Sequence, residues 1–405
     1  MIDRSRHLKR HHAPLRRGKR IDWRKPLWFL GFACISILAM TFIVLARTDM
    51  LLTSAMLRKE DKTWDADVLH IVVTRFMQDQ PNLLHLARAR LLLFETVCLP
   101  TLIQQSTQQF VWIIQTDPHL DKDIRHSLTS LLKPYPHFFL VGSNLQIQGQ
   151  TFRTIGKAFL KSPLYSGNVK LLRQAYWIRD TIPLLQTRLD ADDGIEKTYL
   201  KLLQDEATQL FHQSGLDWHY WCAKRHLEWY SNANALNPVE HSQLCLTPSL
   251  TVGLGVVPLT HEPPLELAHD VLFKTIVKQN HVCSSSSLVG ANKASGRSCI
   301  RMVDEIPVVA IRSRTWTSAG MMDIFDPGGH GIPQEQLWAI CKERFGVSNL
   351  LRVGQYLRSH IVEIAKDNLE GQCTNGHSCK LKAVEALQRL IDVQREGGNL
   401  QTVVG

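Results

Sequence analysis

Strand-type runs alternate with runs of helical periodicity between residues 68 and 190, and this alternation is the strongest constraint on the fold. Strands that alternate with helices pack as a mostly parallel sheet with helices on both faces, so the predicted class is α/β. A kink or break is expected at Pro100. The strand-type runs are DVLHIVVTRF, QFVWIIQTD, HFFLVG and IPLLQTRLD, and the helical ones are NLLHLARARLLLFETVCLPTLIQQS, PHLDKDIRHSLTSLL and NVKLLRQAYWIRDT.

The fourth strand-type run ends in three carboxylates, Asp190, Asp192 and Asp193, followed by Gly194, which allows a sharp turn. Ligands of open α/β sheets bind at the carboxyl ends of strands, where Asp190 lies. On an extended backbone Asp190 and Asp192 face the same side, and their hard oxygens suit Mg²⁺ or Mn²⁺. The sequence therefore predicts a divalent-cation site that binds together with a diphosphate.

Acidic clusters also have simpler explanations. The alternative for this one is an N-cap cluster of a helix beginning near Glu196, which accounts for one or two of the three carboxylates. Two other Asp-x-Asp pairs occur in the chain. Asp65 and Asp67 precede the first strand, and Asp121 and Asp123 lie in the first turn of a helix, where acids suit the helix dipole.

A basic tail precedes a long uncharged run. Residues 1–26 carry ten Lys/Arg against two Asp, which is +8 of the formal net charge of +10, so a nucleic-acid-binding body is not expected. The 20 residues from Leu27 to Ala46 carry no charge, and such a helix spans the ~30 Å hydrocarbon layer. The positive N-terminal side predicts a single-pass type II membrane protein with a lumenal body, located in the Golgi membrane. A cleaved signal peptide is the alternative.

Eight of the nine cysteines follow the apolar run, and an even number in a translocated body permits four disulfides of unspecified pairing. Cys283 and Cys299 bracket a Ser/Gly-rich stretch, and Cys373 and Cys379 bracket a short loop. Zinc binding is the alternative, although no CxxC pair occurs. Cys98 lies on an apolar stretch and is a candidate buried thiol.

Four segments resemble the family of putative rhamnosyl transferases, which is named by similarity with glycosyltransferases of the GT-A type. They are VTRFMQDQPNLLHLARARLLLFETVCLPTLIQQSTQQFVWIIQTDP, RLDADDGI, CLTPSLTVGLG and IRSRTWTSAGM, and the likeness covers roughly residues 68–330. The resemblance implies a GT-A-like fold and a metal-dependent glycosyltransferase that uses Mn²⁺ or Mg²⁺. Such an enzyme moves a sugar, rhamnose or another deoxysugar by the family name, from a nucleotide-sugar donor to a glycan or glycoconjugate acceptor.

The resemblance also implies roles for the acids. Asp190 and Asp192 would be the Asp-x-Asp pair that touches the nucleotide ribose and the metal, and Asp193 would be a further metal ligand or donor-sugar contact. His330 lies in the Gly-rich segment PGGHGIP, where this fold sometimes supplies a third metal ligand. Asp270, in LELAHDVLFK beside His269, is the candidate catalytic base; a helix N-cap or first-turn acid is the alternative.

Nucleotide contacts are expected at strand ends. Thr74 and Arg75 end the first strand and Asp117 ends the second, where the resemblance places the nucleotide. Arg312 and Arg314 lie two apart on one face of a strand end and suit a phosphate, with two surface arginines as the alternative. The aromatic segments WHYWC and HLEWY would form either an acceptor-sugar platform or simply core.

The predicted organisation is a basic cytoplasmic tail (1–26), a transmembrane signal anchor (27–46), a stem (47–66), a glycosyltransferase domain (67–333) and a C-terminal helical extension (334–405) with three helices. A catalytically inactive lectin-like or scaffold membrane protein that keeps the fold is the alternative from another class. A metal-dependent phosphotransferase or hydrolase is a weaker enzyme alternative, because the sequence has no P-loop.

Overall fold

A computed structural model describes residues 67–145, 161–178, 182–213, 216–241, 247–252, 269–284, 295–318, 332–374 and 381–395, with the single positions 159, 244, 245 and 263. The chain divides into two compact units, Met1–Thr63 and Trp64–Gly405. The described residues all belong to the second unit, and the predicted tail, anchor and stem lie outside them.

Two sheets organise this unit. Their strands are Leu69–Phe76 (β1), Val111–Thr116 (β2), Phe138–Gly142 (β3), Leu164–Ser166 (β4), Leu184–Arg188 (β5), Asp193–Ile195 (β6), Trp218–Ala223 (β7), Arg225–Tyr230 (β8), Ala235–Glu240 (β9), Ser249–Val252 (β10), Ile300–Val303 (β11) and Ala310–Arg314 (β12). The larger sheet has eight strands in the order β11-β7-β10-β5-β1-β2-β3-β4, and the smaller has four in the order β6-β12-β8-β9.

The α/β class is confirmed, and the larger sheet is less uniform than predicted: of the seven strand pairings described in it, four are parallel and three are antiparallel. Strands β5, β1, β2 and β3 are parallel to one another, whereas β10 runs antiparallel to β5 and β7, and β4 runs antiparallel to β3. The prediction rests on the alternation between residues 68 and 190, whereas β7 and β10 come later in the chain, and β10 inserts between β5 and β7 while β8 and β9 pair in the smaller sheet. The sheet is therefore mixed.

The membrane part of the predicted fold class also needs correction. Among the described residues, no helix is both long and apolar enough to cross a membrane. The run 27–46, on which the prediction rests, lies outside those residues. The transmembrane helix, the single-pass topology and the Golgi membrane location therefore have no support among the described residues.

The first long helix continues through Pro100. Helix α1, Leu84–Leu93, passes into a π-helical turn, Phe94–Cys98, and then into α2, Leu99–Ile103. Proline lacks the N–H and crowds the carbonyl four residues earlier, and a π-turn relieves that crowding. The other helices are Lys122–Leu132 (α3), Val169–Ile178 (α4), Tyr199–Gln213 (α5), His269–Lys278 (α6), Gln334–Phe345 (α7), Leu350–Ser359 (α8), Ile361–Thr374 (α9) and Leu381–Arg395 (α10).

The larger sheet is buried on both faces. Helix α4 covers one face through Leu172 and Ala175. The opposite face packs in a larger core that also holds Leu337 of α7 and Ala365 of α9. The described part of the chain beyond residue 333 has four helices instead of the predicted three. These helices therefore share the core of the sheet. The aromatic segments are core as well, because their larger rings are buried: Trp218, Tyr220, Trp221, Trp229 and Tyr230.

Two disulfides join described residues. Cys283 pairs with Cys299, as their flanking of a Ser/Gly-rich stretch suggests, and Cys222 pairs with Cys245. The side chains of Cys373 and Cys379 lie outside the described part.

Cys98 and Cys341 are buried and free. We expect both thiols to react with a maleimide only after unfolding, because burial blocks the reagent. The four paired cysteines should react only after unfolding and reduction. Mass spectrometry of labelled peptides checks this, and labelling of Cys222 or Cys283 without a reductant would contradict the assignment.

Candidate active site

The three predicted acids lie on a tight turn, residues 190–193, which we call the acid turn. The N–H of Asp193 donates to the carbonyl oxygen of Asp190 at 3.2 Å, and β6 begins at Asp193. The backbone is therefore a turn rather than the extended run that the sequence predicts. The N-cap alternative does not hold either, since β6 separates the acids from α5, which begins at Tyr199. Asp190 is exposed, Asp192 is half-buried and Asp193 is buried.

Asp193 is held by β12, the neighbour of β6. Arg312 Nε donates to Asp193 Oδ2 at 3.1 Å, and the N–H of Ser313 donates to Oδ1 at 3.3 Å. Burial raises the pKa of Asp193 to about 8, although the charge of Arg312 acts in the opposite direction. Both carboxylate oxygens have protein donors, so this acid anchors the acid turn to the smaller sheet.

Asp192 lies beside Asp190 and contacts the loop after β12. Thr317 Oγ1 donates to Asp192 Oδ2 at 3.4 Å. Burial raises the pKa of Asp192, the charge of Asp190 adds to this, and Arg90 and Arg312 oppose it. Two neighbouring carboxylates thus remain at the carboxyl end of β5, one of them exposed.

Arg90 belongs to the site, although no sequence motif marks it. Its terminal nitrogens donate to the carbonyl oxygen of Thr317 at 2.9 Å and to Gln80 Oε1 at 2.8 Å. Burial lowers the pKa of Arg90, while the charges of Asp192 and Asp190 act in the opposite direction. The cation therefore offsets part of the negative charge of the acid turn. A basic residue inside the apolar run LARARLLL was the only sequence signal available.

Gly194 is required by close packing and not by its backbone angles. A Cβ at this position would lie 2.7 Å from Thr101 Cγ2 and 2.9 Å from Ile311 Cγ2. Its φ is outside the left-handed region that favours glycine. The stiff β-branched neighbours leave room only for a hydrogen atom where β6 passes between α2 and β12.

We expect Gly194→Ala to destabilise the protein by about 1–3 kcal/mol, the usual cost of an overpacked core. Adding Thr101→Ser should recover part of the loss, because it removes the methyl group that the new Cβ would meet. Thermal or urea unfolding measures both effects. A Gly194→Ala protein as stable as the parent would contradict the packing argument.

Arg314 is paired on the same strand as Arg312. It donates to Glu228 of β8, which also accepts from His226 Nε2 at 3.2 Å and from the Tyr230 hydroxyl. Burial works to raise the pKa of Glu228, but these three donors hold it well below its usual range. Each arginine is therefore oriented by a buried carboxylate, unlike two freely exposed surface arginines. Glu228 carries no signal in the sequence, since its partner Arg314 is 86 residues away.

The strand-end residues predicted to bind nucleotide differ in exposure. Arg75 is exposed at the end of β1. Thr74 is buried, and its hydroxyl accepts a hydrogen bond from Trp112 Nε1 at 2.9 Å. Asp117 is also buried and accepts from the N–H of His119 at 2.7 Å. Of these three predicted residues, only Arg75 presents its side chain to solvent.

Asp270 is the second residue of α6, but its side chain lies outside the described residues, and so does His330. Within the described ranges, no three His, Cys, Asp or Glu side chains converge as metal ligands. The roles of Asp270 and His330 therefore stay predictions.

The solved structures offer only a weak likeness. The structure of S. aureus TarS 1–349 is 12% identical over 79% of this chain and 78% of its own, with a TM-score of 0.27. S. aureus TarS is 11% identical over 80% of this chain and 47% of its own, with a TM-score of 0.26. Likeness at this level carries no argument about the fold or the function.

Family comparison is more informative. No curated protein matches the chain. The family described as "Putative rhamnosyl transferase" matches residues 84–158, from α1 to beyond β3. The match confirms the resemblance for the first of the four segments, whereas the other three lie beyond the matched residues. It supports the prediction that the chain is a glycosyltransferase.

Proposed function

We propose that the chain transfers a sugar from a nucleotide-sugar donor to a glycan or glycoconjugate acceptor, with Mn²⁺ or Mg²⁺ bound at the acid turn. The observation that carries the proposal is the position of Asp190 and Asp192 on the tight turn at the carboxyl end of β5, where open α/β sheets bind ligands. The family description motivates rhamnose or another deoxysugar as the donor sugar.

The carboxylate oxygens of the acid turn suit a hard cation that takes few protein ligands. Asp190 and Asp192 would hold it, and diphosphate oxygens with water would complete the shell, as is usual for Mg²⁺. Asp193 is engaged by Arg312, so it would support the turn rather than bind the metal. His330 is retained as a proposed further ligand. When bound, the cation neutralises the charge that develops on the departing nucleoside diphosphate.

The reaction exchanges one bond at the anomeric carbon. The bond to the diphosphate oxygen breaks, the acceptor oxygen bonds to the anomeric carbon, and the acceptor proton goes to a base, for which we propose Asp270. Arg312 keeps its two terminal nitrogens as donors toward the diphosphate, and Arg314 would extend this contact.

Donor recognition is proposed at the neighbouring strand ends. Arg75 is exposed there and would contact the nucleotide directly. Thr74 and Asp117 are buried and hydrogen-bonded, and would act by shaping the floor of the nucleotide site.

The test is a panel of nucleotide sugars added to the purified chain with Mn²⁺, Mg²⁺ or a chelator. A matching donor at one hundred times its Kd should stabilise the fold by about 2.7 kcal/mol. Nucleoside diphosphate should be released when an acceptor is present. Binding without release under every acceptor would favour an inactive lectin-like protein, and no cation-dependent binding at all would exclude the proposal.

A further inference from the structure

The loop after β12, Thr315 to Ser318, contacts the acid turn. Thr317 lies at its centre, with its hydroxyl 3.4 Å from Asp192 Oδ2. Thr315 Oγ1 lies 2.7 Å from Thr317 Oγ1 and accepts from the N–H of Thr317 at 3.2 Å. Both threonine side chains are buried. The orientation of the Thr317 hydroxyl is therefore set by the conformation of this loop.

The loop is held from behind by helix α9. Asn368, which is 1% exposed, donates from Nδ2 to the carbonyl oxygens of Trp316 and Ser318, each at 2.8 Å. The amide nitrogen has only two hydrogens. Both bonds go to the residues on either side of Thr317, so Asn368 clamps the loop on both sides of the contact with Asp192.

Neighbouring bonds fix α9 and the loop to α1. Arg90 of α1 donates to the carbonyl oxygen of Thr317 at 2.9 Å. Asp367 Oδ2 accepts from the N–H groups of His85 and Leu86, at 2.8 and 3.1 Å. The first turn of α1 is thus capped from a distant helix, since Leu83, the residue before α1, has no capping side chain.

We propose that α9 is a positioning element of the active site and that Asn368 is a positioning residue, which sets Thr317 against Asp192. This inference rests on the proposed function and adds a part of the chain beyond residue 333 to the machinery. The acid turn would keep its geometry only while α9 is docked against α1 and the loop.

Asn368→Leu and Thr317→Val test the two ends of this connection. Hydrogen–deuterium exchange of the full chain should speed up at 315–318 in Asn368→Leu and at 189–196 in both variants. The Kd of Mn²⁺-dependent nucleoside diphosphate binding should rise about tenfold in each variant. The double variant should bind no more weakly than either single variant, because both substitutions act through one contact. Thr317→Ser, which keeps the hydroxyl, should restore binding.

Gln334→Leu is the matched control. Gln334 also joins a helix to distant backbone by two bonds, with the N–H and carbonyl of Leu236 at 3.0 and 2.9 Å. The Gln334→Leu substitution should lower the melting temperature, but it should change neither hydrogen–deuterium exchange at 189–196 nor the Kd of nucleoside diphosphate binding. Unchanged exchange at 189–196 in Asn368→Leu would overturn the proposal. If the parent binds no nucleotide, the proposed function fails, and exchange alone decides the positioning role.

Discussion

Asp192→Asn should abolish cation-dependent nucleotide binding and sugar transfer while leaving the unliganded protein at least as stable as the parent. Asparagine keeps the shape and the oxygen that accepts from Thr317, but it removes the charge that a hard cation requires. Burial and the charge of Asp190 already raise the pKa of Asp192, so the folded protein gains little from that charge. Calorimetry with Mn²⁺ and nucleoside diphosphate, together with thermal unfolding, measures both effects.

Asp67→Asn and Asp123→Asn are the controls, because both acids are exposed and lie away from the acid turn. Neither should change binding or transfer. A variant at Asp192 that binds like the parent would mean that the acid turn is only a solvated loop. A variant that unfolds would reveal a structural role for Asp192 and would remove the main support for the proposed function.

Arg312→Met should destabilise the protein by about 3–5 kcal/mol, the usual cost of removing one partner from a buried ion pair. Its side chain is 18% exposed and that of Asp193 is 7% exposed. Without Arg312, the backbone N–H of Ser313 is the one donor to the Asp193 carboxylate that remains among the described residues. Urea unfolding at pH 9 measures the loss, because at that pH the carboxylate of Asp193 is ionised despite its raised pKa.

Adding Asp193→Asn to Arg312→Met should recover most of the lost stability, because no unpaired buried charge then remains. Transfer should stay impaired, since the proposed phosphate contact of Arg312 is still missing.

Arg301→Met is the control for Arg312→Met. Arg301 pairs with Glu206 at 2.8 Å, but the side chain of Arg301 is 41% exposed. Such surface pairs contribute about 1 kcal/mol or less. Equal losses for the two single variants would contradict the buried-pair argument.

The elements near the site were predictable because their signals are local. Alternating apolar and helical runs predicted β1, β2, β3 and β5 and the helices between them. The acids after β5 are visible in the sequence in the same way, and the cation proposed to bind there stays a prediction. The helices after residue 333 were harder. Only His360 separates α8 from α9, and neither glycine nor proline marks that break.

The pairings within the site had no local signal. Hydrogen bonds join Asp193 to Arg312 across 119 residues, Thr317 to Asp192 across 125, and Arg90 to Thr317 across 227. Nothing in the spacing of these residues encodes which of them meet. Their meeting depends on how β6, β12, α1 and α9 pack.

The sequence by itself determined that a cluster of carboxylates follows a buried strand, because strand type, burial and charge are properties of neighbouring residues. The tertiary structure alone decided which of those carboxylates is buried in an ion pair and which remain at the end of the strand. A tight turn carries Asp193 into the smaller sheet, where Arg312 holds it, and leaves Asp190 and Asp192 at the end of β5. The physical reason is that a buried charge requires a partner, and the fold brings that partner from a distant strand.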